Sequence, residues 1–157
     1  MPTYHATICW NLGEDAFANQ KYSRGHRWEF DEGVIVPASA APSAVRAPWS
    51  VAAAVDPEEA LVAAVSSCHM LFFLAYVSRD GFIAESYEDA AVGEMGRNAE
   101  GKAAILKVTL RPRVTVSGSA PSAEQFAAWH HQAHEECFIA NSIRAEVVLE
   151  PELVGLG

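Results

Sequence analysis

Two short segments carry the side chains with the greatest chemical reactivity. Ser-Ser-Cys-His-Met occupies positions 66–70, inside a stretch that is otherwise almost entirely apolar. Ala-His-Glu-Glu-Cys ends at Cys137, near the far end of the chain. An unpaired cysteine on an apolar helix face usually acts as a small core residue. Two thiols on facing helices can also perform redox chemistry, in which one thiolate attacks a peroxide and the other captures the resulting sulfenic acid as a disulfide.

A thiol becomes a strong nucleophile when a neighbouring positive charge lowers its pKa. Cys68 lies well inside its predicted helix, whereas the helix dipole acts only within the first turn. A side chain from elsewhere must therefore supply the charge. Arg24 and Arg27, in Tyr-Ser-Arg-Gly-His-Arg-Trp, are the candidates, and Arg46 in a long loop is a weaker one. From composition alone, a solvated surface charge is the better interpretation of each arginine.

Length and composition limit the class of protein. The 157 residues are enough for one domain with a proper core, and we predict a single domain over 1–157. Half of the residues are hydrophobic and a fifth are charged, which is typical of a soluble globular chain. The net charge of −9 disfavours nucleic acid and anionic membranes as partners, because their phosphates would be repelled.

The N-terminus and the cysteine count indicate the compartment. The first residues lack the basic start and apolar core of a signal peptide, and the longest apolar run, Met70–Val77, is far shorter than the roughly 20 residues that span a bilayer. Three cysteines, an odd number, argue against a structural disulfide framework. We therefore expect a cytoplasmic protein.

The stretch that contains Cys68 has the signals of a helix. Asp56 can cap it, Pro57 suits the first helical position, and Glu59 follows the cap by three residues. No proline or glycine interrupts the chain from there to Arg79, and Gly81 can end the helix. Its apolar residues cover more than one stripe, which predicts burial on most sides.

The remaining segments predict strands and a second helix. Alternating apolar residues at 103–118 indicate an antiparallel sheet with one solvated side. Ser122 and Gln125 form a capping box for a second helix. The fold class is therefore α+β, with antiparallel sheets packed around two long helices. The other predicted elements are a strand at 3–11, a hairpin at 26–37, a long strand at 82–95, a helix at about 123–138 and a strand at 144–151.

Two segments carry a resemblance to a known family: Pro-Glu-Glu-Ala-Leu-Val-Ala-Ala-Val-Ser-Ser-Cys-His-Met and Ala-His-Glu-Glu-Cys-Phe-Ile-Ala-Asn-Ser. With them the chain resembles the OsmC/Ohr (osmotically inducible/organic hydroperoxide resistance) family. The resemblance covers nearly the whole chain. It implies an OsmC/Ohr-like fold in an intertwined homodimer, and a thiol-dependent peroxidase that reduces organic hydroperoxides without a cofactor. It also implies recycling by a dithiol reductant of the lipoyl type.

The same resemblance assigns residues to roles. Cys68 matches the peroxidatic cysteine, Cys137 the resolving cysteine and Glu58 the family's active-site glutamate. The family's arginine falls on Arg24, with Arg27 as the alternative. On one straight helix Glu58 and Cys68 are separated by about 15 Å, so they cannot touch. We therefore expect a loop or helix start from the partner subunit to complete the site.

Two other kinds of protein remain possible from the residues. His130, His131 and His134 with Cys137 offer metal ligands, two of them at i and i+4, although no CxxC or HExxH motif accompanies them. A non-enzymatic thiol sensor on the same fold is the other alternative, since fold does not fix function. The role of Cys9 is left open. The aromatic candidates for a pocket around an organic tail, or alternatively for the core, are Phe72, Phe73, Phe126 and Trp129.

Overall fold

In the computed structural model, which describes residues 1–156, helix α1 is Pro57–Arg79, as predicted. Its start is held by a reciprocal cap: the Glu59 N–H donates to Asp56 Oδ1 at 2.8 Å, and the Asp56 N–H donates to Glu59 Oε2 at 3.2 Å. Its end lies before Gly81, whose φ of +81° is accessible to glycine at little cost. Local chemistry therefore sets both ends.

Helix α1 is buried along one stripe and not on most sides, so that expectation is wrong for the single chain. The buried residues follow each other every fourth position: Val65, His69, Phe73 and Val77. Only 22% of its most apolar 18-residue window is buried, and Leu71 is 62% exposed. By length and hydropathy alone the helix could also cross a membrane, a test that core helices of soluble proteins pass as well.

The chain divides into two compact units, and the first is Met1–Ala60. Its sheet contains β1 (Thr7–Cys9), β2 (His26–Glu29) and β3 (Ile35–Ala38), all antiparallel in that order. The predicted hairpin is confirmed, while the first strand is shorter than predicted. The loop after β3 returns to the sheet, since the Val55 N–H donates to the Pro37 carbonyl at 3.1 Å.

The second unit, from Leu61 onward, contains most of α1, helix α2 (Ala123–Glu136) and two sheets. Each predicted long strand is bent into two halves, and the halves pair in different sheets. The Arg111 N–H donates to Asp89 Oδ1 at 2.6 Å where the strands change sheet. The halves are β4 (Ile83–Asp89), β5 (Val92–Arg97), β6 (Ala103–Leu110) and β7 (Pro112–Ser117).

These sheets are mixed. The antiparallel pairings β4–β7 and β5–β6 hold as predicted, whereas β8 (Glu146–Leu149) joins β6 in parallel. A further strand that the sequence did not indicate, β9 (Glu152–Leu156), joins β7 in parallel. Glu150 and Pro151 separate these two strands, which lie in different sheets. The α+β class is confirmed.

The alternation at 103–118 places its apolar residues in the core, with one exception. The buried members are Val108, Leu110, Val114 and Val116. Leu106 is 40% exposed because the pairing of β5 with β6 shifts at this residue. Helix α1 packs closely on β5: a Cβ added to Gly93 would lie 2.6 Å from Val62 Cγ2.

Candidate functional site

The two predicted cysteines face each other between α1 and α2. Cys68 is half-buried on α1, and Cys137 is 1% exposed at the residue that ends α2. Both are free thiols, and Cys68 lies close enough to Cys137 to help raise the pKa of the Cys137 thiol. The structure therefore brings these two residues together, while their catalytic roles stay a prediction.

The two thiols differ in electrostatic environment. Burial, and to a lesser extent the neighbouring Cys68, raises the pKa of the Cys137 thiol to about 11. Cys137 is therefore protonated at neutral pH. Cys68 is the more exposed of the two and is the one that a dissolved substrate can reach.

The short segment after α2 holds Cys137 in place. The Ala140 N–H donates to Cys137 Sγ at 3.3 Å, a contact that by itself favours the thiolate. The Asn141 side chain donates to the Cys137 carbonyl at 3.0 Å and to the Glu135 carbonyl at 2.8 Å. Since a side-chain amide clamps the backbone on both sides of Glu136, the position of the sulfur is well defined.

The candidate arginines belong to the first unit and differ in their surroundings. Arg24 Nη1 donates to the carbonyls of Gln20 at 2.8 Å and Tyr22 at 2.6 Å, and its guanidinium lies 3.8 Å from the centre of the Tyr22 ring. Arg27 forms an exposed ion pair with Glu29, with Nε 2.6 Å from Oε1. Arg24 has no such anionic partner among its described contacts, so its charge is the less compensated one.

A series of side-chain hydrogen bonds, which the sequence did not reveal, supports the loop at Arg24. The Trp28 Nε1–H donates to His26 Nε2 at 3.0 Å, so His26 carries its proton on Nδ1. His26 Nδ1 donates in turn to the Arg24 carbonyl at 2.7 Å. The indole and imidazole thus fix the backbone that presents the guanidinium.

Arg24 also contributes to the wall of an open cavity of about 510 Å³ within the first unit. Three of the lining rings contact one another: Phe17 stacks on Tyr22 at 4.7 Å, and Trp10 meets Tyr22 edge-on at 5.6 Å. Glu58, at the exposed start of α1, directly follows a lining residue, Pro57. The remaining lining residues are Ile8, His26, Ser39 and Ala40.

Three of the four aromatic residues considered for a substrate pocket lie in the core instead. Phe73, Phe126 and Trp129 are buried in one cluster with strand residues of the second unit. The Trp129 Nε1–H donates to Asp80 Oδ2 at 2.8 Å, which anchors α2 to the end of α1. Phe72 is only partly buried and meets Phe138 edge-on at 5.1 Å.

The histidines do not assemble the metal site considered from the sequence. His130 Nδ1 lies 3.0 Å from His69 Nε2, and His131 is exposed. Within residues 1–156, no group of three or more His, Cys, Asp or Glu side chains has an arrangement that could hold a metal ion. The His69–His130 contact was missed, although each histidine interrupts the apolar stripe of its helix, a signal that could have revealed it.

The fold and the site together define an α+β protein with a two-cysteine site. In this site a half-buried thiol on a long apolar helix faces a buried thiol from a second helix. The family model for OsmC-like proteins matches residues 50–152. The chain therefore belongs to the OsmC-like protein family, which confirms the resemblance seen in the sequence.

Solved structures agree with this assignment. An OsmC-like protein of unknown function from Vibrio cholerae is 50% identical, with a TM-score of 0.94 over 96% of this chain and 99% of that one. An organic hydroperoxide resistance protein from Legionella pneumophila (16% identity, TM-score 0.64, 100% and 98% covered) shares the fold. So does the organic hydroperoxide resistance protein OhrB of Bacillus subtilis (16%, TM-score 0.60, 96% and 97% covered). A comparison with curated proteins gave no match.

Proposed function

We propose that this protein is a thiol-dependent peroxidase that reduces organic hydroperoxides to alcohols. The observation that carries the proposal is the contact between the half-buried Cys68 and the buried Cys137. The names of the Legionella pneumophila and Bacillus subtilis proteins of the same fold, both organic hydroperoxide resistance proteins, point to the same chemistry.

The reaction follows from the different environments of the two thiols. The Cys68 thiolate attacks the distal peroxide oxygen, the O–O bond breaks, and the leaving alkoxide takes a proton to become the alcohol. Cys68 is then a sulfenic acid. Cys137, whose raised pKa keeps it protonated at rest, gives up its proton as it attacks that sulfur; the S–S bond forms, and the sulfenic OH takes this proton and leaves as water. An external dithiol, for instance of the lipoyl type, reduces the disulfide by exchange and is itself oxidised.

Arg24 is the proposed activating cation and Glu58 its proposed orienting carboxylate. Arg24 keeps a largely uncompensated charge, whereas Arg27 is paired with Glu29. The apolar walls of the cavity beside Arg24 suit an organic tail better than hydrogen peroxide. We propose that the first unit of a partner subunit supplies these groups to Cys68.

A homodimer also accounts for the exposed apolar surface of α1. In the single chain Leu71 is 62% exposed and most of the helix is not buried. Such a surface is typical of interfaces between subunits. The three free cysteines fit the reducing cytoplasm, which remains the predicted location.

The deciding experiment is multiple turnover of an alkyl hydroperoxide with a continuous dithiol supply. We expect many equivalents of peroxide to be consumed per protein, complete loss of turnover in Cys68→Ser, and unchanged turnover in the matched control Cys9→Ser. One equivalent of oxidation without turnover would instead support the thiol sensor. A monomeric variant that kept full activity would contradict the shared site.

A further inference from the structure

The core of the second unit contains two histidines that the redox chemistry does not use. His69 on α1 and His130 on α2 are 1% and 2% exposed. A polar ring in such a position costs free energy unless it has a hydrogen-bond partner. Each ring partners one nitrogen of the other, since His69 Nε2 lies 3.0 Å from His130 Nδ1, while His69 Nδ1 and His130 Nε2 are buried without a partner among the described residues.

The contact has a defined geometry. The ring planes differ by 5° and their centres are 5.3 Å apart, while Phe73 stacks on His130 at 4.2 Å. Phe126 closes another side of His130 with an edge contact at 4.7 Å. One nitrogen must donate and the other accept, so the accepting ring is neutral, because an imidazolium has no acceptor nitrogen.

This hydrogen bond and the thiol contact join the same two helices. Cys68 directly precedes His69 on α1, and Cys137 follows His130 by two helical turns. A residue seven positions along returns to nearly the same face of a helix, so His130 and Cys137 share one face of α2. A disulfide accepts only Cα–Cα distances of roughly 4.4–6.8 Å. A slide or rotation of α2 that separates the imidazoles therefore also moves the sulfurs.

We propose that the His69–His130 hydrogen bond holds α2 against α1 at the spacing in which Cys137 can close a disulfide with Cys68. The two histidines are then positioning residues, and neither touches the peroxide. The inference rests on the proposed function for its use in peroxide reduction. Closure itself can be measured without peroxide, because oxidised glutathione takes two electrons and two protons from the thiol pair and yields two molecules of reduced glutathione.

The test compares reduction potentials in glutathione buffers. The variant is His69→Leu/His130→Leu, which removes both polar rings together and so leaves no unpaired partner. We expect a native circular dichroism spectrum and a disulfide equilibrium constant at least about tenfold less favourable, equal to about 30 mV in potential. His131→Leu, an exposed change on the same helix, is the matched control and should keep the parent's potential.

Conservative variants separate positioning from general packing. His69→Gln retains a hydrogen-bonding atom near the position of Nε2, and His130→Asn does the same for Nδ1. Both should keep the parent's potential. A folded double leucine variant with the parent's equilibrium constant would overturn the proposal. If the double variant does not fold, a tenfold loss in a natively folded His69→Gln would overturn it, and retention would support it.

The two proposals fail in distinguishable ways. A parent protein that closes the disulfide in glutathione buffer but turns over no hydroperoxide would contradict the proposed function and leave the positioning role intact. If the parent protein turns over hydroperoxide and the double leucine variant closes the disulfide normally, the positioning role is contradicted and the proposed function stands.

Discussion

Two of the polar contacts between helices α1 and α2 use adjacent residues of α1 and have opposite characters. Cys68 is half-buried and its contact with Cys137 is within reach of solvent, whereas His69 is sealed against His130 in the core. One residue along a helix turns the side chain by about 100°. That turn is enough to place the reactive Cys68 thiol at the surface of the core and the His69 imidazole inside the core.

The two contacts also differ in how they respond to the loss or gain of protons. The thiol pair works by losing protons and electrons. The imidazole pair stays intact only while at least one of the two rings keeps a nitrogen that can accept a hydrogen bond. The thiol contact is therefore the one that changes with redox conditions, and the imidazole contact is the one that changes with acid. The following predictions test this division, beginning with the largest effect.

Cys137→Ser should abolish dithiol-driven turnover but not the first reaction with peroxide. Cys68 would still form a sulfenic acid, because its oxidation does not involve the second thiol, and no disulfide could follow. The measurement is one-to-one peroxide addition followed by chemical trapping of the sulfenic acid and mass spectrometry. Full turnover in this variant would show that the reductant attacks Cys68 directly.

Acid should destabilise the protein through the imidazole pair. Burial lowers the pKa of His69 to about 4 and that of His130 to about 3, below the ordinary value near 6.5. Between about pH 6.5 and 4 the unfolded chain binds protons that the folded chain does not, so the free energy of unfolding falls as the pH falls. Each ring contributes up to about 1.4 kcal/mol per pH unit.

Urea unfolding at pH 7, 6 and 5 measures this slope. The double leucine variant supplies the control, because its remaining pH dependence comes from other groups. Equal slopes in parent and variant would mean that the rings do not titrate differently in the folded and unfolded chains.

Arg24→Ala should lower the rate of Cys68 oxidation by up to about 30-fold at pH 7. An unactivated thiol with a pKa near 8.5 is only about 3% thiolate at that pH, which sets the size of the loss. Arg27→Ala removes a charge already paired with Glu29 and should change the rate little. Stopped-flow measurement of thiol loss compares the two. The opposite ranking would assign the activating role to Arg27.

Phe138→Ala should have the smallest effect. Its edge contact with Phe72 connects α1 to the segment that follows α2, beside Cys137, but Phe138 is 68% exposed. Such an aromatic pair stabilises by about 1 kcal/mol. Urea unfolding should show a loss of this order, and a markedly larger loss would mean that the exposed contact holds the helices together more than the buried imidazoles do.

Several features of the fold followed from the sequence because their causes are local. The start of α1 depends on Asp56 and Glu59, which are three residues apart, and the start of α2 on the Ser122 hydroxyl, which accepts from the Gln125 N–H at 3.1 Å. The buried residues of α2 likewise recur at helical spacing, at positions 126, 129, 130 and 133. Caps and periodicity act within one or two turns, so neighbours in sequence determine them.

The sequence determined which side chains are reactive, which residues form the helices and which family the chain belongs to. Only the tertiary structure decided that the strands bend into two mixed sheets, that α1 is buried along one stripe, and that His69 meets His130 across 61 positions of sequence. The contact of Cys68 with Cys137 belongs to the same category, although the resemblance implied it. Such pairings depend on how whole elements pack against each other, and no local pattern of propensity or spacing encodes that arrangement.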